Sequence, residues 1–398
     1  MKILYIHQYF VIPSEPGGTR SYWISRELIK NGHQVTMITS TRDKNQERRV
    51  TIDGINVIYL YVPYSNKMSI LKRLVAFLKF MFLSSWYVIK LEKHNLAIAT
   101  STPLTIGFPA LVGKIFKGLP YVFEVRDLWP EVPVQMGGVK NKFLIKILYW
   151  FERTIYKKSA HVIALSPGMH DGVIKAGTPE KKVTTIPNMS KIDEFWPREK
   201  DTKLLAELGL KKDSFKVVYF GTMGQANAIE YIVESIQYLK NEKNVEFLFL
   251  GGGALENKIK EICKNEDLSA VHFYGKVPMA RLSAIVNLCD VSLVTFSNLP
   301  ILATNSPNKL FDTLSAGKAI IVNSPGWTKT MVEDNNCGYF VDPLNAQNLA
   351  DRIIHLRDNN ELCHEMGKNA RILAETTFDK SILCKKFVYT IENLKLNQ

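Results

Sequence analysis

The sequence predicts an α/β protein built from two doubly wound domains, each with a parallel sheet. Short apolar runs alternate with helical patterns almost from end to end, which is typical of parallel strands covered by helices. A chain of 398 residues is too long for one ordinary hydrophobic core. A polar stretch at 190–203 separates two series of apolar runs and is therefore predicted to be the linker between the domains.

The first domain is predicted to cover residues 1–190. Its strand-like runs lie at 2–7, 34–40, 55–62, 95–101, 121–127, 160–166 and 183–189. The first helix is predicted over about 19–31, because Gly32 suits the position just past the C-terminus of a helix.

The second domain is predicted to cover residues 191–378 with the same alternation. Its strand-like runs lie at 216–221, 245–251, 271–275, 291–296, 319–324 and 339–342. Three further helices close the chain, the last over about 379–395. Ligands of doubly wound sheets bind outside the carboxyl ends of the strands, so we expect a site in a cleft between the domains, formed by loops that follow strands.

The net positive charge of the protein comes entirely from its first half. Residues 1–189 contain 26 Lys and Arg against 12 Asp and Glu, whereas residues 190–398 contain 25 against 26. The first half is therefore expected to meet lipid headgroups, a phosphorylated substrate or nucleic acid. Five cysteines without paired spacing indicate reduced, buried thiols in a cytoplasm, and the N-terminus lacks the pattern of a secretion signal.

The loop after the first predicted strand carries a pair of glycines. Gly17 and Gly18 precede a helix start whose first turn contains Thr19 and Arg20. Glycines let a ligand approach the backbone, and the free N–H groups of a helix start favour anions. These four residues are candidate ligand contacts, although a plain tight turn would have the same sequence.

The segment EVRDLWPE at 124–131 follows the fifth predicted strand. Charged groups next to a buried strand are unfavourable unless they are paired or used in function. We therefore predict that Glu124, Arg126 and Asp127 line the cleft as catalytic candidates. The alternative is a structural ion pair between Arg126 and one of the two acids.

The segment SPNKLFDTLSAGKAI at 306–320 predicts a helix whose start binds a nucleotide. Ser306 is placed to cap this helix, and Pro307 to occupy its first position, where its missing N–H does no harm. The helix dipole and free N–H groups suit a diphosphate. The predicted contacts are the N–H groups of Asn308, Lys309 and Leu310 and the ammonium of Lys309 for the diphosphate, and Asp312 for two ribose hydroxyls.

Other candidate contacts lie in glycine-containing loops after strands of the second domain. The segments at 220–232 and 251–253 place glycines between a strand and a helix, and GKVP at 275–278 could cover a flat base. Each would also serve as a simple helix entry. The predicted donor contacts in these loops and just before Ser306 are Thr222, Gly224, Asn227, Gly252, Lys276, Val277, Thr304 and Asn305.

Two basic and apolar stretches are predicted to lie on an anionic membrane surface. They cover 65–95 and 140–158, and basic residues interrupt the first before it reaches the ~20 apolar residues needed to span a bilayer. A basic helix with Phe, Met and Trp on its other side suits such a surface. The predicted membrane contacts are Lys72, Arg73, Lys79, Phe80 and Trp86, with Lys67, Lys90 and Lys93 as further bases. The alternative is a pair of core helices with solvated bases.

Nearly the whole chain resembles the retaining GT-B glycosyltransferases of family 4, which use nucleotide-activated sugars. The resemblance rests on Gly17-Gly18, Gly32-His33, PNM at 187–189, GGG at 251–253 and the run that begins at Asp312. EVRDLWPE together with SPNKLFD is similar to the branch that builds bacterial lipopolysaccharide O-antigen and capsule, such as the fucosamine transferases. The family implies two Rossmann-like domains facing across a cleft, an acceptor on the N-terminal domain, a donor on the C-terminal domain, and a last helix, about 379–398, that packs back on the first domain.

The chain departs from the family pattern at two places. The usual Glu-x7-Glu pair maps to Thr304 and Asp312, so the first acid is absent and the second is shortened. The Arg and Lys that normally hold the donor phosphates map to Thr222 and Asn227. We therefore expect the phosphate charge to be met by Lys309, by helix termini, and by Arg20 or Arg126.

The resemblance implies a retaining transfer at the inner face of the bacterial plasma membrane. The donor would be a UDP-linked sugar, an N-acetylated deoxyhexosamine in this branch, and the acceptor a polyprenyl-diphosphate-linked saccharide. Amide dipoles and cations would stabilise the leaving diphosphate. We expect no cofactor beyond the donor, and no metal, since no Asp-x-Asp motif follows a predicted strand.

Two other function classes share parts of the pattern. A non-hydrolysing nucleotide-sugar epimerase has the same two-domain layout but no need of a basic, apolar first domain. A non-catalytic binder of membranes or nucleic acid would explain the charge. The chain contains no recognisable nucleic-acid module, so we expect no nucleic-acid partner.

Overall fold

The computed structural model describes residues 1–15, 17–65 and 68–395. The chain forms two compact units. The first consists of Met1–Pro13, Gly17–Pro187 and the C-terminal segment from Ser381, and the second contains Asn188–Lys380. Lys67, one of the bases predicted to face a membrane, lies outside the described residues.

The first unit contains an eight-stranded sheet in the order β3-β4-β2-β1-β5-β6-β7-β8. All neighbouring strands are parallel except β3 and β4, which are antiparallel. The strands are β1 Lys2–Ile6, β2 Gln34–Thr41, β3 Arg49–Ile52, β4 Ile55–Tyr61, β5 Leu96–Thr100, β6 Tyr121–Val125, β7 His161–Ala164 and β8 Val183–Thr185. The seven predicted strands are all present. The edge strand β3 was not predicted, because four residues of RVTI among charged neighbours carry little apolar signal.

Helices connect these strands in the expected alternation. They are α1 Arg20–Lys30, α2 Ile70–Lys90, α3 Gly107–Lys117, α4 Glu131–Gln135, α5 Lys142–Lys158 and α6 Pro167–Lys175. The last helix of the chain, Lys380–Glu392, also belongs to this unit apart from its first residue. Its Lys386 Nζ donates to the backbone oxygen of Thr185 at 3.0 Å, and Glu392 lies 2.9 Å from His33. The predicted return of the last helix to the first domain is thus confirmed.

The second unit contains a six-stranded, wholly parallel sheet in the order β11-β10-β9-β12-β13-β14. Its strands are β9 Phe215–Thr222, β10 Val245–Gly252, β11 Val271–Gly275, β12 Val291–Val294, β13 Ala319–Val322 and β14 Gly338–Phe340. Its helices are α7 Thr202–Glu207, α8 Ile229–Gln237, α9 Glu256–Asn265, α10 Met279–Leu288, α11 Asn308–Ala316, α12 Trp327–Asp334, α13 Ala346–Asp358 and α14 Asn360–Leu373, which leaves α15 for the last helix of the chain.

The central strands of this second sheet are buried on both faces. In β9, Val217 and Tyr219 pack into one hydrophobic cluster, whereas Val218 and Phe220 pack into another. Successive side chains of a strand point to opposite faces, so each face has its own layer of helices. This explains why the strands read as continuous apolar runs in the sequence.

The polar segment at 190–203, which the sequence predicts to be the linker, belongs to the second unit. Ser190, Lys191 and Phe195 are buried in the second unit. The backbone N–H of Ser190 donates to the oxygen of Phe378 at 2.7 Å, and its own oxygen accepts from Lys380 at 2.9 Å. Phe195 packs into the hydrophobic core of this unit, and Lys191 forms an ion pair with the buried Asp312. These contacts make a segment of polar composition part of the second domain.

Candidate functional site

Loops at the carboxyl ends of β9, β10 and β12 form one hydrogen-bonded layer in the second unit. The N–H of Met223 donates to Gly252 at 3.1 Å, and the Thr295 hydroxyl donates to the backbone oxygen of Asn227 at 2.8 Å. A Cβ on Gly251 would lie 1.9 Å from the oxygen of Gly221, so the close approach of these two strand ends requires glycine at position 251. The predicted contacts Thr222, Gly224, Asn227 and Gly252 all lie in this layer.

Lys309 places its ammonium into this layer from the first turn of α11. Its Nζ lies 3.2 Å from the hydroxyl oxygen of Tyr219 and 3.2 Å from Oδ1 of Asn227. The same atom lies 4.3 Å from the centre of the Tyr219 ring and 5.3 Å from that of Phe296. The side chain is buried, and burial lowers the pKa of the Lys309 ammonium to about 7.

No acidic side chain among the described residues forms an ion pair with Lys309, and its two hydrogen-bond partners are neutral. Buried charges in proteins are normally paired with an opposite charge. A buried ammonium with only neutral partners, at the carboxyl ends of parallel strands, is therefore suited to an anionic ligand.

The start of α11 differs in detail from the prediction. Pro307 is the N-cap residue in an extended conformation, and the helix begins at Asn308. Ser306 does not cap it, because its hydroxyl accepts from the backbone N–H of Asn188 at 3.1 Å. The N–H of Leu310 donates to the oxygen of Pro307 at 3.1 Å, so the predicted phosphate contact through this N–H is wrong. The N–H groups of Asn308 and Lys309 remain as candidates.

Asp312 is buried one turn further along α11 and forms an ion pair. Its Oδ1 lies 3.1 Å from Nζ of Lys191, which also lies 3.3 Å from Oε2 of Glu194. Burial raises the pKa of Asp312, and the charge of Lys191 opposes this rise. The prediction of a carboxylate reserved for two ribose hydroxyls is therefore corrected, because one oxygen already faces Lys191.

The remaining candidates of the second unit are more peripheral. Lys276 is exposed and Val277 half-buried just after β11. The Thr304 hydroxyl donates to the oxygen of Ile301 at 2.7 Å, and the oxygen of Asn305 accepts from the Trp327 indole at 2.7 Å. The contacts of Thr304 and Asn305 are thus local, whereas Lys276 lies next to Gly252 of the Lys309 layer, with its Cε 3.7 Å from the position of a Cβ added to Gly252.

Arg20, a predicted donor contact of the first unit, has a structural role instead. Its Nε donates to Oε1 of Glu124 at 2.8 Å, and its two terminal nitrogens donate to the backbone oxygens of Pro187 and Ile186. The side chain is 1% exposed. Its guanidinium is thus fully used inside the domain, and the prediction that it binds phosphate is wrong. Gly17, Gly18 and Thr19 lie beside it at the start of α1, with Gly17 at a φ of +149°.

Glu124 is likewise not a reactive group. It is completely buried in β6 and accepts hydrogen bonds from Arg20 and from the Thr100 hydroxyl. Burial alone would raise the pKa of Glu124, but the charges of Arg20 and Arg126 more than offset this and hold that pKa below its ordinary value. Its predicted catalytic role is corrected to that of a buried partner for Arg20.

Arg126 and Asp127 lie just beyond the carboxyl end of β6 and are half-buried. Asp127 accepts a hydrogen bond from the Thr102 hydroxyl at 2.8 Å, and burial raises the pKa of its carboxyl. An Arg126 terminal nitrogen lies 3.3 Å from Nε2 of His7, whose Nδ1 lies 2.8 Å from the Ser21 hydroxyl. Arginine can only donate, so Nε2 of His7 is the accepting nitrogen.

Three helices of the first unit expose large apolar side chains, and we call this set the apolar face. Helices α2 and α3 are in contact through Phe82 and Phe108, whose ring centroids are 6.3 Å apart, and α3 also contacts α5. The apolar face consists of Leu71, Leu74, Val75, Leu78, Phe82, Trp86, Ile89, Ile115, Phe116, Phe143, Leu144, Ile147 and Trp150.

The predicted membrane contacts differ in their exposure. Trp86 is 63% exposed and belongs to it, and Lys72 and Lys79 are exposed beside it. Arg73 is half-buried. Phe80 is fully buried against the domain, so its predicted membrane contact is wrong.

Two further findings concern the described residues alone. None of their helices combines the length and the apolarity needed to cross a membrane. Their His, Cys, Asp and Glu side chains form no group of three or more that could hold a metal ion. All five cysteines are buried and free.

Both units match known families of enzymes. Residues 17–189 match the family described as glycosyl transferase 4-like domain, and residues 200–373 match the glycosyl transferases group 1. The chain is a glycosyltransferase. The predictions of an epimerase and of a non-catalytic binder are thereby set aside.

Curated relatives of this glycosyltransferase are distant but cover most of the chain. The probable glycosyltransferase WbjE of Pseudomonas aeruginosa is 23% identical over 83% of this chain and 83% of its own length. The N,N'-diacetylbacillosaminyl-diphospho-undecaprenol alpha-1,3-N-acetylgalactosaminyltransferase of Campylobacter jejuni is 22% identical over 71% of this chain and 72% of its own. The predicted fucosamine-transferase branch is not established at such identities.

Solved structures share the fold of this glycosyltransferase over nearly its whole length. Sucrose-phosphate synthase from Thermosynechococcus elongatus has a TM-score of 0.81 at 18% identity, with 99% of this chain and 98% of that chain covered. HepE from Anabaena, in complex with UDP and glucose, has a TM-score of 0.72 at 16% identity, with 99% and 100% covered. The predicted GT-B fold, with two Rossmann-like domains, is confirmed.

Sequence reasoning missed several residues that shape the candidate sites of this glycosyltransferase. Tyr219 and Phe296 enclose the Lys309 ammonium, Lys191 pairs with Asp312, and His7 contacts Arg126. Only His7 had a visible signal, since a polar residue ends the apolar run KILYIH at the carboxyl end of β1.

Proposed function

We propose that this glycosyltransferase uses a nucleotide-diphosphate sugar, UDP-linked, whose diphosphate binds to Lys309 and to the loop after β9. The observation that carries the proposal is the buried ammonium of Lys309, whose two hydrogen-bond partners within the described part of the chain are both neutral. A diphosphate supplies the missing negative charge. UDP is favoured as the nucleotide because the fold relative HepE is known in complex with UDP.

The position of the ammonium accounts for a departure from the family pattern. The resemblance maps the family's phosphate-binding lysine to Asn227, and Nζ of Lys309 lies 3.2 Å from Oδ1 of Asn227. We infer that a cation from α11 serves in place of the cation that the loop after β9 supplies in the family pattern. We propose that this substitution maintains phosphate binding without the usual arginine and lysine.

In the proposed reaction, the bond between the anomeric carbon and the β-phosphate oxygen breaks. The acceptor hydroxyl oxygen forms the new bond to that carbon on the same face, and its proton passes to the departing diphosphate. The configuration is thus retained, as the family resemblance implies. Lys309 stabilises the charge that develops on the diphosphate, so we propose no requirement for a metal ion.

We propose that the first unit binds the acceptor and that Arg126 and Asp127 contact the reacting sugar. Both side chains are half-buried at the carboxyl end of β6, where ligands of doubly wound sheets bind. Asp312 is proposed to accept from the ribose through the oxygen that does not face Lys191. An acceptor linked to lipid diphosphate, in bacterial surface polysaccharide synthesis, is favoured by the name of the Campylobacter jejuni relative.

We propose that the apolar face lies on the cytoplasmic surface of an anionic membrane. The exposed bases Lys72, Lys79, Lys142 and Lys146 lie on the same helices, α2 and α5, as most of the apolar face. Apolar side chains enter the interface while lysines reach lipid phosphates, so both effects contribute to binding. A membrane also supplies a lipid-linked acceptor where the first unit would bind it.

The proposed donor is tested by a thermal-shift screen of the purified protein with UDP, GDP, dTDP and ADP. A ligand that binds only the folded state raises the Tm by mass action, so we expect a selective shift with UDP. Lys309→Met should abolish it, because the diphosphate loses its cation.

Lys318→Met is the matched control for that screen. Lys318 is also a lysine whose pKa burial lowers, to about 8, but its Nζ donates to the backbone oxygen of Asn287 rather than into the proposed site. The control should keep the UDP-induced shift. A full shift in Lys309→Met, or a shift with none of the four nucleotides, would contradict the proposal.

A further inference from the structure

Among the described residues, those that contact the Lys309 amine include no group that ionises near neutral pH. From β9 the amine meets the phenol of Tyr219, whose pKa burial raises. The loop after β9 contributes the neutral amide of Asn227, and the segment after β12 contributes the ring of Phe296. The other ionisable side chain of α11, Asp312, is ion-paired with Lys191.

The partners of Lys309 can accept hydrogen bonds from either protonation state of the amine. The Tyr219 hydroxyl donates to the oxygen of Thr222 at 2.7 Å, which leaves its lone pairs for Lys309. Oδ1 of Asn227 is an acceptor as well. The unliganded site therefore holds the amine in position without providing a counter-charge, and a diphosphate would be the first full negative charge to reach it.

We propose that Lys309 takes up a proton when the donor diphosphate binds, so that donor binding and protonation of this amine are linked. The inference rests on the proposed function of the same site. It adds that the unliganded enzyme is partly neutral at this position and that the full charge appears only with the ligand.

The direction of the linkage follows from the effect of burial on the amine. Burial lowers the pKa of Lys309 to about 7 in the unliganded protein, so the neutral amine is populated near pH 7 and predominates as the pH rises further. A diphosphate at hydrogen-bond distance favours the ammonium and raises that pKa. The affinity for the donor nucleotide should therefore fall by up to about tenfold per pH unit as the pH rises above about 7.

Protonation of Lys309 also affects the release of the product nucleotide. While the leaving diphosphate is bound, the amine stays charged and stabilises it. When the product nucleotide dissociates, the amine returns its proton to solvent, because the unliganded site again lacks a counter-charge. Product release is therefore favoured as the pH rises.

The inference is tested by titration calorimetry of UDP into the full-length protein at pH 8, in buffers of different ionisation enthalpy. At this pH the terminal phosphate of UDP is already ionised, since second phosphate pKa values lie near 6, so it releases no proton. We expect the uptake of close to one proton per UDP bound. Lys309→Met should bind UDP at least tenfold more weakly and without proton uptake, whereas Lys318→Met should match the wild type.

The possible outcomes separate this inference from the proposed function. Binding of UDP to the wild type without proton uptake at pH 8 would overturn the linkage but leave the proposed donor in place. Equal uptake by Lys309→Met would also overturn it, since another group would then bind the proton. Failure of UDP, GDP, dTDP and ADP to bind would overturn both.

Discussion

Individual acidic residues that look alike in the sequence have different surroundings in the folded chain. Glu124 and Asp127 lie three positions apart in one charged segment. Glu124 is fully buried against Arg20, whereas Asp127 is half-buried and accepts a hydrogen bond from the Thr102 hydroxyl. Their contributions to stability and to activity should therefore differ.

Glu124→Gln should lower the free energy of unfolding by about 3–5 kcal/mol, because it leaves the buried charge of Arg20 without a partner. The pKa of Glu124 lies below its ordinary value, so the stability from this pair is present above the ordinary carboxyl pKa. It is lost as the pH falls through the lowered pKa. Urea unfolding of the variant and the wild type, at pH 7 and in acid, measures this difference.

Two control variants define the outcome for Glu124. Glu92→Gln removes an exposed pair with Lys2 and should leave stability nearly unchanged. Asp127→Asn should keep stability but lower the transfer rate, because a group proposed to contact the sugar loses its charge. A wild-type stability of Glu124→Gln would contradict the structural role of the Arg20 pair.

The buried ammonium of Lys309 is expected to lower the stability of the unliganded protein. Burial lowers its pKa to about 7 from an ordinary value near 10.4, so the unfolded state binds more protons between these pH values. The free energy of unfolding that depends on Lys309 therefore rises as the pH increases from about 7 to about 10.4. Lys309→Met should raise the Tm of the unliganded protein by several degrees at pH 7, and the gain should shrink towards pH 10.

Differential scanning calorimetry without nucleotide measures the Lys309 effect across the pH range. A gain in Tm combined with the loss of UDP binding is the mark of a group that is retained for function at the expense of stability. An unchanged or lower Tm of Lys309→Met at pH 7 would show that the site tolerates the ammonium without strain.

The buried pairs around these residues join distant parts of the chain, and local sequence patterns do not reveal them. Arg20 and Glu124 are 104 positions apart, and Lys309 and Asn227 are 82 apart. The position of Asp127 could be predicted because it follows an apolar run, and that of Lys309 because it lies on the first turn of a predicted helix. Their partners could not, because pairing depends on which loops the sheet order brings together.

At the scale of single elements, α2 is so apolar that its sequence does not show which of its sides faces the protein core. Apolar residues lie on all sides of Ile70–Lys90, so the sequence prediction relied on the basic positions to define the outer face. The structure buries Phe80 and exposes Phe82 and Trp86. The aliphatic part of a lysine side chain can lie along apolar surface while its charge reaches water. The positions of basic residues therefore predict poorly which side of a helix is buried.

Trp86→Glu is expected to weaken sedimentation with anionic liposomes by about tenfold or more. The substitution places a charge in the apolar face and adds repulsion from anionic headgroups. High salt should reduce wild-type binding without abolishing it, because the apolar contribution is not screened. Binding is measured by co-sedimentation with vesicles that contain phosphatidylglycerol.

Trp196→Glu is the matched control for the membrane prediction. Trp196 is 44% exposed and lies in the second unit. The Cζ atom of Arg198 lies 4.2 Å from the centre of its ring. The substitution of Trp196 should leave vesicle binding unchanged. Equal binding of Trp86→Glu and the wild type would contradict the proposed membrane contact of α2.

At the scale of the whole molecule, the alternation of apolar runs with helical patterns was sufficient to predict two parallel-sheet domains. Buried parallel strands are apolar on both faces, so even short ones such as His161–Ala164 stand out from their surroundings. The boundary was harder to predict, because the segment at 190–203 hides Lys191 and Phe195 in the second unit.

The distribution of charge follows the same division of the chain. The excess of Lys and Arg lies in residues 1–189, which contain the apolar face, while residues 190–398 are nearly neutral overall. An enzyme that reaches a membrane through one domain and a soluble donor through the other would have this distribution. The proposed site for an anionic donor lies in the nearly neutral domain and uses the buried cation Lys309.

A crystal structure of the complex with UDP tests the central claim most directly. We predict diphosphate oxygens within hydrogen-bond distance of Nζ of Lys309 and next to the loop Thr222–Asn227. A diphosphate bound elsewhere, with Lys309 still bonded only to Tyr219 and Asn227, would contradict the account.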